Sequence, residues 1–192
     1  MKNVWTIARR DFKSYFTSPV AYILIAGFLA IMGWMFFFNL SYFNQQNMQA
    51  LQLNLGKGVS ITDGIIRPLF GNMNVVLLFL VPFITMRLLA DERKNSTIQL
   101  LLTAPVTLAE IIAGKFLSSL LLVLVMLGLT LAYPAVLFAT GNPDPGPIAM
   151  AYLGTILLSG CYLSFGLLFS AMTENQIIAG AMTFAFGLFF WL

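Results

Sequence analysis

The chain has 192 residues, of which 59% are hydrophobic and only 9% are charged, and its formal net charge is +3. A soluble domain carries about a quarter charged residues, so this chain has too few to cover a surface that faces water. Composition therefore predicts an integral membrane protein. The sequence contains one cysteine, Cys161, and no histidine, which excludes a disulfide framework, His- or Cys-based metal sites, and Ser-His or Cys-His catalysis.

The lysines and arginines are distributed unevenly along the chain. Four precede the first long apolar run, and four lie in what we call the charged segment, residues 87–115. Because cytoplasmic loops are enriched in Lys and Arg, this distribution predicts that the N-terminus and the charged segment are both cytoplasmic. It leaves no basic patch for nucleic acid. These eight cations are Lys2, Arg9, Arg10, Lys13, Arg87, Arg93, Lys94 and Lys115.

The N-terminal region predicts an amphipathic helix. At helical spacing, Trp5 and Phe12 fall on one side with other apolar residues, and Arg9, Arg10 and Lys13 fall on the other side. Aromatic and cationic side chains together suit a helix that lies in the lipid headgroup region. The alternative is a cytoplasmic helix that packs against a protein partner.

Apolar runs in the remaining sequence predict five membrane spans. A hydrocarbon core of ~30 Å needs about 20 apolar residues in a helix. Two of the runs contain a proline, Pro82 in the second and Pro134 near the far end of the third, which removes a backbone hydrogen bond and bends a helix. The predicted spans are residues 20–40, 74–90, 116–140, 148–172 and 176–192.

The segments between these spans predict the topology. Residues 41–73 are expected to form an external polar loop, in which Met48, Leu51 and Leu55 indicate one short amphipathic helix. Pro68 and Gly71 are expected to break the chain before the second span. Residues 141–147 are expected to form a tight external turn. The sequence stops inside the last apolar run, so either the fifth span is a short final helix or the sequence is incomplete. We favour the second alternative.

Two capping patterns organise the charged segment. Ser96 with Gln99, and Thr107 with Glu110, each have the spacing of a capping box that starts a helix. Pro105 disfavours helix at the residue before it, so the first of these helices is predicted to be short. The second is predicted to lead into the third span.

One face of the short predicted helix is apolar. Three apolar side chains share that face: Ile98, Leu101 and Leu102. A cytoplasmic loop would not leave them exposed to water. Either the membrane interface or a partner protein is expected to bury them.

Lys115 has the spacing of a Ser-Lys dyad with Ser118 and Ser119. We expect a simpler role for all three residues. A lysine at the end of a span extends its amine to the headgroups, and serines in spans bond to carbonyls of their own helix. The sequence therefore predicts no catalytic residue in this chain.

The charged segment also carries a resemblance to a known family. Residues 86–117 read MRLLADERKNSTIQLLLTAPVTLAEIIAGKFL and resemble the signature of type-2 ABC exporter permeases. In that signature a basic residue ends the second span, an acidic–basic cluster follows, and the helix into the third span carries Gly-Lys. The N-terminal RRDFKSYFTSPVAYIL is similar to the elbow helix and first span of the family. Ser96 replaces a frequent glycine and Gln99 a frequent acidic residue, and both keep the capping chemistry.

The resemblance implies an all-α membrane protein with a single permease domain, residues 1–192. Its N-terminal amphipathic elbow helix would be residues 1–17, and the full family fold has six spans. The chain is especially similar to the permeases of bacterial gliding motility and of copper/nitrous-oxide maturation. The resemblance therefore implies the permease subunit of an ATP-driven exporter in the bacterial inner membrane. The alternative is a mechanical or assembly module that does not transport and is driven by the same coupling.

The resemblance also implies the partners. ATP and Mg would bind to a separate ATPase subunit, and this chain would bind no cofactor itself. A second permease, either another copy or a paralogue, and membrane lipids would complete the assembly. The coupling region, residues 91–106, would contact the ATPase. The implied contact residues are Asp91, Glu92, Arg93, Lys94, Ser96, Thr97, Ile98, Leu101, Leu102 and Pro105.

Overall fold

A computed structural model of the chain describes residues 2–52, 60–90, 107–141 and 143–191. Within these ranges every regular element is helical. The first elements are α1 (Lys2–Thr17), α2 (Pro19–Gln52), a π-helical turn (Thr62–Ile66) and α3 (Arg67–Thr85). After the coupling region come α4 (Leu108–Thr130), α5 (Ala132–Thr140), α6 (Pro145–Met172) and α7 (Gln176–Trp191).

Four stretches of the described chain are long and apolar enough to cross a membrane. The all-helical prediction is thus confirmed, with four candidate spans rather than five. The last predicted span corresponds to α7, which is apolar but has only 16 residues, or ~24 Å at 1.5 Å per residue. The four candidate spans are Pro19–Ala50, Thr62–Thr85, Leu108–Ala139 and Pro145–Met172.

The helix α2 is longer than the sequence predicted. It has 34 residues, or ~51 Å at 1.5 Å per residue, and it continues to Gln52 where an external loop was expected from residue 41. The prediction of a loop there is wrong. No glycine or proline occurs between Gly33 and Gly56, and the Gln, Met, Ala and Leu residues at its end are good helix formers.

The start of α3 also differs from the prediction. Pro68 and Gly71 were expected to break the chain, but both lie within the helix. Pro68 is the second residue of α3, which directly follows the π-helical turn. Proline lacks a backbone N–H, and a π-helical turn is one way in which a continuous helix adjusts its hydrogen bonds at such a position. The π-helical turn runs directly into α3, so this helical stretch begins 12 residues before the predicted span, at Thr62 rather than Asn74.

The third predicted span is divided into two helices by a turn at Leu131. Pro134 lacks the N–H that would bond to the carbonyl of Thr130, and its ring crowds that carbonyl. The Thr130 hydroxyl donates to the Leu127 carbonyl at 2.7 Å and lies 3.1 Å from the Tyr152 hydroxyl of α6. The side chain of Thr130 therefore joins α4 to α6 just before the turn.

The helix α3 lies at the centre of the described bundle and packs against α2, α6 and α7. Glycines allow two of these approaches. A Cβ at Gly166 of α6 would collide with the side chain of Thr85, and a Cβ at Gly187 of α7 would lie 2.8 Å from Leu78. Small residues that repeat at four-residue spacing, such as Gly166 with Ser170 and Thr183 with Gly187, predict either close helix packing or a dimer seam. The contacts of Gly166 and Gly187 within the chain agree with close packing. Fully buried core side chains include Phe28, Met32, Met73, Leu77, Leu122, Met126 and Leu163.

Candidate coupling site

The predicted coupling region, residues 91–106, lies outside the described residues. Its ten predicted contact residues therefore stay predictions: Asp91, Glu92, Arg93, Lys94, Ser96, Thr97, Ile98, Leu101, Leu102 and Pro105. The structure does describe the chain on both sides of it, up to Ala90 and from Thr107. We call the end of the bundle where α3 ends and α4 begins the coupling end.

On the first side, the chain that leaves α3 is bonded to α6. The backbone N–H groups of Leu89 and Ala90 both donate to the hydroxyl oxygen of Ser170, each at 3.1 Å. The Ser170 hydroxyl lies 3.5 Å from the carbonyl of Met86, and Ser170 is fully buried. One α6 side chain thus fixes the last residues before the coupling region.

On the second side, the predicted capping box is confirmed. The N–H of Glu110 donates to the Thr107 hydroxyl at 3.3 Å, and the N–H of Thr107 donates to the Glu110 carboxylate at 3.1 Å. The amide of Asn3 in α1 also donates to this carboxylate, at 3.3 Å to each oxygen. The first turn of α4 is therefore bonded to the beginning of α1.

The helix α1 packs along α4 and buries a charged residue between them. A Cβ at Gly114 would lie 2.7 Å from a methyl carbon of Ile7, so this contact needs a glycine. Next to it, the amine of Lys115 lies 3.5 Å from the carboxylate of Asp11. The other oxygen of this carboxylate lies 3.0 Å from the guanidinium of Arg10.

Two sequence interpretations of Lys115 have different outcomes. Its predicted extension to the headgroups stays a prediction, and the structure adds that α1 covers Lys115 and leaves the residue 4% exposed. The prediction for the serines is confirmed, since Ser118 donates to the Lys115 carbonyl at 2.8 Å and Ser119 donates to the same carbonyl at 3.0 Å. These hydroxyl groups stabilise their own helix.

The outer face of α1 carries the predicted cations. Arg9, Arg10 and Lys13 are exposed, and Phe12 is partly buried against the core. Trp5 was expected on the apolar side, but it is 56% exposed, because it lies one helical turn before Arg9 on the same face. The role of these five residues at a membrane interface stays a prediction.

Three residues of the site were not singled out in the sequence. Asn3 had no pattern that pointed to Glu110. Asp11 did carry a signal, because it is the only acidic residue before Asp63 and an isolated carboxylate in an apolar chain needs a cation. Ser170 has only the four-residue spacing from Gly166, a pattern that favours close helix packing.

Residues 5–192 match the model of a family described as ABC-2 family transporter protein. The chain has no significant match among curated proteins or among solved structures. The family match confirms the predicted ABC-2 class of permease, and it includes the coupling region and the described helices from Trp5 onward. The chain therefore belongs to the ABC-2 family of transporters and is a multi-pass permease component.

Proposed function

We propose that this chain is the transmembrane permease subunit of an ATP-driven exporter in the bacterial inner membrane. A separate ATPase subunit binds ATP and Mg and contacts residues 91–106 from the cytoplasm. The N-terminus lies on the same side, and a second permease subunit completes the transporter. The proposal rests on one observation: the residues just before and just after residues 91–106 are joined to neighbouring helices by hydrogen bonds and an ion pair.

These contacts connect the two sides of the coupling region to different helices. Before it, Ser170 joins the end of α3 to α6. After it, Glu110 and Lys115 join α4 to α1. Packed helices move as rigid bodies with small shifts at their interfaces. Movement of the coupling region by the ATPase would therefore displace α3 with α6, and α4 with α1.

The residue pattern of the coupling region supports contact with a protein. Asp91, Glu92, Arg93 and Lys94 offer both signs of charge, which suits polar contacts at the rim of an interface. Leu101 and Leu102 with Ile98 offer an apolar face, which suits its buried centre.

Replacing Leu101 with aspartate tests this contact. We expect Leu101→Asp to reduce co-purification of the ATPase subunit at least tenfold while membrane insertion is unchanged, because a charge in a buried apolar contact is strongly unfavourable. Met48→Asp is the matched control. Met48 is 67% exposed and lies ~44 Å along α2 from Pro19 at 1.5 Å per residue, near the opposite end of the bundle. Equal co-purification of both variants would contradict the proposal.

A second experiment separates export from a mechanical role. The permease and its ATPase are reconstituted in proteoliposomes, and ATP hydrolysis is measured with added solutes, lipids or proteins. Stimulation by a solute or lipid supports export. Stimulation only by another protein supports a mechanical or assembly module of the kind used in gliding motility or in copper/nitrous-oxide maturation.

A further inference from the structure

A cavity of about 310 Å³ lies at the coupling end, between α1, the start of α2, the end of α3 and α4. We propose that it binds the phosphate group of a membrane phospholipid. Part of its lining is apolar and includes Leu24 and Phe83. The lining also includes the polar residues Asp11, Ser14, Tyr15, Ser18, Arg87 and Lys115.

The charges around this cavity favour an anion. Among the described residues that line it, Asp11 alone carries a carboxylate, which is already compensated by Arg10 at 3.0 Å and Lys115 at 3.5 Å. Arg87 lines the same cavity, is exposed, and forms no ion pair with any other residue that the structure describes. Its planar guanidinium can donate two parallel hydrogen bonds to one phosphate. The cavity therefore has a net positive charge and an arginine suited to bind phosphate.

Hydroxyl groups supply further donors. Ser14 and Ser18 line the cavity beside Arg87. The hydroxyl oxygen of Tyr15 is buried out of reach of a ligand, so the hydroxyl donors available to a phosphate are those of Ser14 and Ser18.

The position of the cavity identifies the source of the phosphate. It lies where α2 begins at Pro19 and α3 ends at Thr85, which is the level of the lipid headgroups if these helices span the membrane. Phe83, one of the apolar lining residues, is 54% exposed and offers a surface for an acyl chain. A soluble phosphate would not contact these apolar residues, whereas a phospholipid presents phosphate and acyl chains together.

Lipid retention by the purified full chain tests the proposal. The chain is titrated with phosphatidylglycerol in detergent, and bound lipid is measured by native mass spectrometry. We expect Arg87→Gln to weaken binding about tenfold, because it removes a charge-assisted contact. Arg67→Gln is the matched control, since Arg67 is an exposed arginine paired with Asp63 at 3.2 Å near the opposite end of α3. Equal binding by the two variants would overturn the proposal.

A second variant and a competitor complete the test. Ser14 lines the cavity, so Ser14→Phe can fill the space without changing its charge, and it should also weaken retention of the lipid. Undiminished retention by Ser14→Phe would overturn the proposal even if Arg87→Gln failed to fold. Displacement of the lipid by millimolar inorganic phosphate would mean that the ligand is free phosphate, which would overturn the assignment to a lipid.

Discussion

The coupling end and the core formed by α3, α6 and α7 are held together by different forces. At the coupling end, polar contacts join the helices, such as Lys115 with Asp11 and Ser170 with the backbone of Leu89. In the core, small residues allow close contact, as where Gly187 meets Leu78. Lipid is as apolar as a leucine side chain, so helices inside the membrane gain little from apolar burial and depend on close packing.

This difference suggests a division of roles. Close-packed surfaces have one favourable arrangement and resist gradual deformation. Hydrogen bonds and ion pairs are directional, so a shift of one helix changes which groups they join. We therefore expect the core to move as one body, and the polar contacts of the coupling end to determine how the helices move relative to each other.

The largest effect is expected from Asp11→Asn at the coupling end. Lys115 would lose its carboxylate partner while its side chain is 5% exposed, and removing one partner of a buried pair costs about 3 kcal/mol. Unfolding in SDS mixed micelles measures the loss. Asp63→Asn is the control, because its pair with Arg67 is exposed and contributes less than about 1 kcal/mol. Similar losses of unfolding free energy in both variants would mean that the buried pair stabilises the fold no more than the exposed pair does.

The stability of the core is expected to depend on the size of its side chains rather than on their charge. Gly166→Leu forces the new side chain into Thr85, and overpacking of this kind costs about 2 kcal/mol. The same unfolding assay measures it. Gly154→Leu on the same helix is the control, because no atom lies within 4 Å of a Cβ built there. If both variants were equally stable, close packing at Gly166 would not stabilise the core.

Ser170 connects the two regions. Replacing it therefore tests whether its hydrogen bonds only stabilise the fold or also transmit movement from the coupling region. Ser170→Ala leaves the N–H groups of Leu89 and Ala90 without their acceptor, at a cost of about 1.5 kcal/mol. ATP hydrolysis by the assembled complex should also become less dependent on substrate. Ser164→Ala is the control, since the Ser164 hydroxyl is exposed and bonds only within its own helix, to Gly160. Unchanged coupling in Ser170→Ala would restrict Ser170 to a structural role.

The smallest effect is expected at the capping box. Thr107→Ala removes the side-chain acceptor for the N–H of Glu110 and should destabilise α4 by about 1 kcal/mol. Thr107→Ser keeps the hydroxyl and should restore the stability of the original chain in the same assay. A loss that serine does not restore would assign the effect to the methyl group instead of the cap.

Local patterns in the sequence predicted the features that depend on nearby residues. The capping box at Thr107 and the small-residue contacts of Gly166 and Gly187 were both found in the structure. The burial of Lys115 could not be predicted in this way, because its partner Asp11 lies 104 positions away. The polar composition after residue 40 predicts a loop, but the Gln, Met, Ala and Leu residues there are good helix formers, so α2 is longer than predicted.

The side of the membrane on which the coupling region lies is the most direct test of the account. Cys161 is replaced by alanine and Thr97 by cysteine, and a membrane-impermeant maleimide is added to spheroplasts or to inside-out vesicles. We predict that the cysteine at position 97 reacts only in the vesicles and that bound ATPase subunit protects it. Reaction in intact spheroplasts would place residues 91–106 outside, where no ATPase could reach them, and would contradict the account.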